Sequence, residues 1–267
     1  MVDISQIDYR ALDRPEILSF LFYPRREDSP SGPGGPARDI QIPVDEDVTI
    51  GARFHHAQTV APTILFFHGN GEIVADYDEI GSLYVQKGIN FLPVDYRGYG
   101  RSTGTPTVTA MMRDSHSIFA YILDWLADGG YTGSLVVMGR SLGSASALEI
   151  AAHYRDRIAG LIIESGFAYL MPLLRLIGIS PLKMGISEED GCQNIQKIRT
   201  FDRPTLIIHA QFDQIIPFSD GEALYEAGGA ADKRLLMIPG ADHNTIFVRG
   251  FEDYMAAIGE FLERIGG

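Results

Sequence analysis

The stretch SLVVMGRSLGSASALEIAAHY, residues 134–154, changes from one kind of regular structure to another. Its first residues form a short apolar run, which is typical of a strand buried on both faces of a sheet. The residues after Gly143 have the mixed apolar and polar pattern of an amphipathic helix. Ser141 therefore stands at a strand-to-helix turn, between Gly139 and Gly143.

The same alternation of strand and helix extends through most of the 267 residues. Helical spacing between the apolar runs predicts crossover connections, which are right-handed almost without exception. We therefore expect one α/β domain over residues 1–267, with a mostly parallel central sheet and helices on both faces. The other buried strands are predicted at 63–68, 91–96, 161–165, 205–210 and 234–240, and an antiparallel hairpin is predicted around the turn 45–47.

Several helices can be delimited from the sequence. Residues 78–88 end on Gly88, a residue suited to a helix C-terminus. Residues 109–130 carry apolar side chains at three- and four-residue spacing and end at two glycines. Ser219 and Glu222 have the spacing of a capping box, which predicts a helix start there. Residues 251–265 form the last predicted helix.

Two segments interrupt this pattern. Residues 26–38 are rich in Pro and Gly, which predicts a flexible surface loop. Residues 166–204 are apolar but broken by prolines and glycines, and are too long for a simple connection. We expect them to form a small cap over the carboxyl ends of the strands. Side chains of this cap either line a pocket for an acyl group or pack onto the domain below, and the candidates for the pocket are Leu170, Met171 and Leu174.

Composition narrows the classes of partner and cofactor. The net charge of −13 argues against binding nucleic acid or anionic lipid, both of which need a basic surface. A single cysteine, Cys192, excludes an internal disulfide and a multi-cysteine metal site. The sequence GNGE is too short for a phosphate-binding loop and lacks its lysine. We expect no metal, no cofactor and no membrane span. The early acidic residues and the lack of a signal-peptide pattern predict a cytoplasmic protein.

Ser141 has two interpretations. Small residues suit any tight strand-to-helix turn, so the turn alone does not require catalysis. In an open parallel sheet, however, ligands bind beyond the carboxyl ends of the strands, where Ser141 lies. The pattern G-x-S-x-G in this context is a nucleophile elbow, in which a strained turn exposes the serine hydroxyl. The helix dipole and the N–H of Leu142 then favour a negative oxygen at the same place.

A serine nucleophile requires a base, and the base requires an orienting acid. Asp213 follows the predicted strand at 205–210, and His243 follows the one at 234–240. The order nucleophile, acid and histidine is the order that this elbow uses. Glu164 also ends a strand and is a second candidate for the acid. Asp213 is favoured over it because its loop is adjacent to the loop of His243.

A serine hydrolase also needs donors for the oxyanion. The sequence FFHGNGE, residues 66–72, ends a strand and leads into a helix. Its glycines allow the backbone to approach a substrate, and the N–H of Asn70 is expected to pair with that of Leu142. His68 in the same stretch is expected to bind backbone rather than to do chemistry.

The motifs HGNG, DYRGYGRSTGTPT, GRSLGSASALE, HAQFDQIIP and GADHN together resemble the α/β-hydrolases, over almost the whole chain. They are most similar to the Bem46-like group, relatives of the serine aminopeptidase-like hydrolases. The resemblance implies a nucleophile at Ser141, an acid at Asp213, a base at His243 and an oxyanion hole at Asn70 and Leu142. The motifs are specific for the fold and the triad but not for the substrate; we predict a serine hydrolase that cleaves carboxylic esters or thioesters of small molecules. A peptidase and a non-catalytic binding protein remain as alternatives.

Overall fold

A central sheet of eight strands organises the computed structural model, which describes residues 6–27 and 37–266. The spatial order is β1-β2-β4-β3-β5-β6-β7-β8. Strands β3 to β8 are parallel, and β1 and β2 form an antiparallel hairpin at one edge. This confirms the predicted fold class. The strands are β1 Ala37–Asp45, β2 Val48–His55, β3 Thr63–Phe67, β4 Asn90–Val94, β5 Leu135–Arg140, β6 Gly160–Glu164, β7 Thr205–Ala210 and β8 Lys233–Ile238.

Helices cover both faces of the sheet. Successive residues of a strand point to opposite faces, so Leu65 and Phe67 of β3 pack with α3 and α4, whereas Ile64 and Phe66 pack with α2 and α10. This double burial explains the continuous apolar runs in the sequence. The helices are α1 Pro15–Leu21, α2 Asp78–Gln86, α3 Val108–Asp128, α4 Gly143–Tyr154, α5 Leu170–Leu176, α6 Pro181–Met184, α7 Asn194–Thr200, α8 Phe218–Ala227, α9 Ile246–Arg249 and α10 Phe251–Gly266.

One predicted helix start is wrong. Helix α8 begins at Phe218 after Pro217, and no side-chain hydrogen bond caps it, so Ser219 and Glu222 form no capping box. Proline fixes its own backbone angle, which lets it precede the first turn without a side-chain cap. Across residues 6–27 and 37–266, no helix combines the length and the apolar character that crossing a bilayer requires.

The two interrupting segments differ in structure. Of the loop predicted over 26–38, residues 28–36 lie outside the described residues. Its flanks are regular: Arg26 forms a bridge with Gly100, and β1 begins at Ala37. Segment 166–204 holds the two short helices α5 and α6, and then α7, which packs against α4 as the crossover between β6 and β7.

Candidate active site

Ser141 lies in a tight turn at the carboxyl end of β5. Its backbone has a φ of 52°, in the left-handed region that non-glycine residues rarely adopt. A Cβ on Gly139 would overlap the carbonyl group of Gly143, and one on Gly143 would overlap the carbonyl group of Phe67. Both glycines are therefore required by close backbone approach. The N–H of Ser141 donates to the carbonyl of Glu164 at 2.9 Å, which ties the turn to β6.

The structure brings Ser141, His243 and Asp213 into one hydrogen-bonded chain. His243 Nε2 lies 3.0 Å from Ser141 Oγ, and His243 Nδ1 lies 2.7 Å from Asp213 Oδ2. All three residues are buried, with exposed fractions of 8%, 4% and 7% for Ser141, His243 and Asp213. The three loops meet because strands β5, β7 and β8 are parallel and end at the same edge of the sheet. This arrangement can move a proton from the serine hydroxyl to the imidazole.

The carboxylate of Asp213 is held in its charged form. Burial raises its pKa, but the hydrogen bond and charge of His243 and the N–H groups of Ile215 and Ile216 outweigh burial and lower it. Asp213 Oδ1 accepts those two N–H groups at 3.0 and 2.8 Å, and Oδ2 remains for His243. His209 lies in strand β7, and its Nε2 lies 2.8 Å from the carbonyl oxygen of Ile216, a contact that braces the same loop.

The two N–H groups predicted to bind an oxyanion belong to the residue after Ser141 and to the loop after β3, the strand that pairs with β5. Within the described part of the chain, neither the N–H of Leu142 nor that of Asn70 donates to a protein acceptor. Asn70 is exposed, and its side-chain Oδ1 accepts hydrogen bonds of 2.7 Å from the N–H of Tyr23 and the hydroxyl of Tyr99. Neither donor therefore has a protein acceptor among these residues, and the loop that bears Asn70 is fixed by its side chain.

His68 makes contacts of the kind expected for a structural residue. It is fully buried, and its Nδ1 lies 2.8 Å from the carbonyl oxygen of Gly69. Its Nε2 lies 3.2 Å from Asp95 Oδ1, which also accepts the N–H of Val74 at 3.0 Å. The two side chains connect the ends of β3 and β4 and leave no nitrogen of His68 facing Ser141.

The cap residues that were candidates for an acyl pocket occupy a different environment. Leu170 and Leu174 are 1% and 0% exposed and belong to the main hydrophobic core, so for them the packing alternative holds. Met171 is 5% exposed and borders an open surface groove. Helix α5 turns other side chains, Leu173 and Leu176, toward a cavity of about 140 Å³. That cavity is also lined by residues of the Asp213 loop: Gln214, Ile215, Ile216 and Pro217.

The contacts of Arg140 next to Ser141 were not predicted from the sequence. Arg140 directly precedes Ser141, and its guanidinium donates to the carbonyl of His243 at 2.8 Å and to Glu164 at 3.0 Å. It also pairs with Glu72, which follows the HGNG motif. The signal in the sequence was an arginine ending a strand that is otherwise apolar. Glu164, the alternative acid, is engaged here and makes no hydrogen bond to His243 among the described residues.

A second cluster lies away from Ser141. Among the described residues, His116, Glu149 and His153 form one group whose ligand atoms lie within 4.8 Å of one another. Glu149 Oε2 is taken by Lys197 Nζ at 2.6 Å, and Oε1 by His116 Nε2 at 3.1 Å. His153 Nδ1 binds the backbone carbonyl of Glu149 at 2.9 Å. These atoms already have protein partners, so the cluster is an ion-pair network rather than an open cation site.

Comparisons with known proteins relate the chain to hydrolases. Residues 58–186 match the family model described as serine aminopeptidase, S33. The chain is 29% identical to protein bem46 of Schizosaccharomyces pombe over 75% of its own length and 67% of that protein. It is 30% identical to human alpha/beta hydrolase domain-containing protein 17B over 76% of its length and 66% of that protein. The chain thus spans about two thirds of the length of these two relatives.

Solved structures show the same fold. The esterase Pf2001 of Pyrococcus furiosus superposes with a TM-score of 0.73 at 19% identity, covering 92% of this chain and 99% of the esterase. Identity at this level supports the architecture, and the family match and the curated relatives support the hydrolase class. The chain has the α/β-hydrolase fold and is related in sequence to the Bem46-like, serine aminopeptidase-type hydrolases.

Proposed function

We propose that this protein is a serine hydrolase that cleaves carboxylic esters or thioesters through an acyl-enzyme. The observation that carries the proposal is the chain of hydrogen bonds from Ser141 Oγ to His243 Nε2 at 3.0 Å and from His243 Nδ1 to Asp213 Oδ2 at 2.7 Å. A left-handed serine between two required glycines adds to it, because backbone strain of this kind is concentrated at functional sites.

The reaction proceeds in two halves. His243 Nε2 takes the proton of Ser141 as its Oγ attacks the carbonyl carbon, and the oxyanion binds the N–H groups of Asn70 and Leu142. The carbon–oxygen or carbon–sulfur bond to the leaving group breaks, and His243 gives that group its proton. Water then attacks the acyl-enzyme, loses a proton to His243 and releases the acid. His243 returns the proton to Ser141.

The surroundings favour a substrate with an apolar acyl group. The cavity of about 140 Å³ beside the Asp213 loop is bordered by Leu173, Leu176 and Ile215. Tyr169 and Leu176 are exposed at its edge, at 44% and 56%. Apolar walls next to a few polar groups are typical of small-molecule sites. We propose that the acyl group enters this cavity, whose volume suits a short or medium chain better than a long one.

Hydrolysis of p-nitrophenyl esters from acetyl to palmitoyl tests the proposal. Serine-dependent turnover is expected, with a preference for the shorter half of the series. Ser141→Ala should lower kcat by about a millionfold, as measured for removal of a triad serine. The control is a circular dichroism spectrum that matches the wild type. Turnover near the wild-type rate in purified Ser141→Ala would refute the assignment.

A further inference from the structure

Arg140, the residue before Ser141, contacts several parts of the candidate site. Arg140 is 9% exposed, and its guanidinium contacts groups from two loops and one strand end. Nη2 donates to the backbone carbonyl of His243 at 2.8 Å. Nε donates to Glu164 Oε1 at 3.0 Å, and Nη1 pairs with Glu72 Oε1. One planar group thereby contacts the loop after β3, the end of β6 and the loop after β8.

Glu72 transmits this contact to the oxyanion loop. Its Oε2 accepts the N–H of Gly69 at 2.7 Å, one residue before Asn70, and the hydroxyl of Tyr77 at 2.5 Å. Burial raises the pKa of Glu72, but the charge of Arg140, the Tyr77 hydroxyl and the Gly69 N–H together outweigh burial and lower it. Glu72 thus stays ionised and keeps both oxygens as acceptors. The loop of Asn70 is fixed to the guanidinium through two charge-assisted contacts.

Glu164 holds the guanidinium from the other side. Its Oε1 faces Arg140, and its Oε2 accepts the hydroxyl of Tyr254 at 2.6 Å. The backbone carbonyl of Glu164 accepts the N–H of Ser141 at 2.9 Å. The side chain of Arg140 and the backbone of Ser141 are therefore anchored to the same residue of β6.

We infer that Arg140 is a positioning residue, which sets the base His243 and the oxyanion donor Asn70 in register with Ser141 through its contacts with the His243 carbonyl and Glu72. The inference rests on the proposed function. It differs from a stabilising role because the guanidinium reaches both sides of the reacting centre. A shift of about 1 Å in such a centre costs on the order of a hundredfold in rate.

A cavity beside the guanidinium makes a direct test feasible. It has a volume of about 230 Å³ and is bordered by Glu72, Arg140, Glu164, Tyr77 and Tyr254. Truncation to Arg140→Ala would enlarge it by the space of the side chain and leave two carboxylates facing an empty position. A guanidinium ion added from solution can occupy that position. Urea has the same planar shape without the charge and serves as the matched negative probe.

The expected result is a kcat lower by about a hundredfold in Arg140→Ala, with little change in KM, because substrate contacts are intact. Millimolar guanidinium should restore kcat saturably, and urea should not. Arg140→Lys should stay low, since one ammonium cannot contact three acceptors in a plane. It also serves as the measurement if Arg140→Ala fails to fold.

Arg53→Ala is the control for loss of a buried arginine. Arg53 lies on the antiparallel strand β2 and is 2% exposed. Its guanidinium pairs with Glu27, Asp39 and Asp78. Arg53→Ala should lower the melting temperature and leave kcat unchanged. Wild-type kcat in Arg140→Lys, or a loss in Arg140→Ala that guanidinium does not restore, would overturn the inference. Ser141→Ala is measured in parallel: turnover that persists there refutes the proposed function, whereas turnover lost there but kept in Arg140→Ala refutes this inference alone.

Discussion

Two pairs of histidine and carboxylate differ in what the imidazole faces: one faces the hydroxyl of a serine and the other the hydroxyl of a tyrosine. Near the start of α4, His243 and Asp213 are joined at 2.7 Å, and the far nitrogen of His243 faces Ser141. Farther along α4, Glu149 lies 3.1 Å from His116, whose far nitrogen lies 3.0 Å from the hydroxyl of Tyr154.

The second oxygen of each carboxylate also differs. In Asp213 it accepts neutral backbone N–H groups, so the negative charge remains available to an imidazolium formed during reaction. In Glu149 it is bound to the ammonium of Lys197 at 2.6 Å, which opposes a further positive charge on the imidazole. A histidine that binds a carboxylate is therefore not by itself evidence of a catalytic site. The groups around the carboxylate decide whether it stabilises an imidazolium that forms during a reaction or an ammonium that is always charged.

The largest expected effect comes from removing the negative charge of each carboxylate in turn. Asp213→Asn should lower kcat about ten-thousandfold, because an amide favours the wrong imidazole tautomer, with a small change in stability. Glu149→Gln should show the reverse: a lower free energy of unfolding and an unchanged kcat. Both quantities are measured by ester hydrolysis and urea denaturation on the same preparations. A large kcat loss in Glu149→Gln would remove the distinction.

The next largest effect concerns the ion pair between Glu149 and Lys197. Lys197 is fully buried, so Lys197→Met leaves the charge of Glu149 without its main partner and should cost about 3–5 kcal/mol of unfolding free energy. The double variant Lys197→Met with Glu149→Leu should recover much of this loss, since apolar side chains replace the pair. Urea denaturation of the two single variants and the double variant measures the coupling. Equal stability of Lys197→Met and the double variant would contradict the expected coupling.

A smaller effect concerns the pH dependence of the free energy of unfolding. Burial raises the pKa of Glu149, but the hydrogen bond with His116 and the charge of Lys197 outweigh burial and lower the pKa to about 2. A carboxyl whose pKa is depressed in the folded state stabilises the protein above its unfolded pKa and loses that contribution as pH falls. About 3 kcal/mol should be lost between about pH 5 and pH 2.

The control for this titration is Glu149→Gln. Its unfolding free energy should start lower at neutral pH and fall less steeply through the same pH interval. Parallel curves for the wild type and Glu149→Gln would show that Glu149 titrates at its ordinary pKa in the folded protein. Urea midpoints at a series of pH values give both curves.

Much of the fold and the centre of the candidate site followed from local pattern. The parallel strands begin and end within two residues of the predicted bounds, because residues buried on both faces must be apolar throughout. Ser141, Asp213 and His243 could be singled out because each follows a strand of a parallel sheet, and those strand ends meet at one edge.

The tertiary structure alone decided which side chains meet across loops. It turned Leu170 and Leu174 into the core and Leu173 toward the cavity, since the face of a short helix depends on what packs against it. It also joined Arg140 to Glu72 and to the His243 carbonyl, contacts that span 68 and 103 positions of the chain. The positions of the strands along the chain and the types of reacting groups could be predicted from the sequence, because both depend on local pattern. Contacts between distant loops carry no local pattern, so only the packed structure defined them.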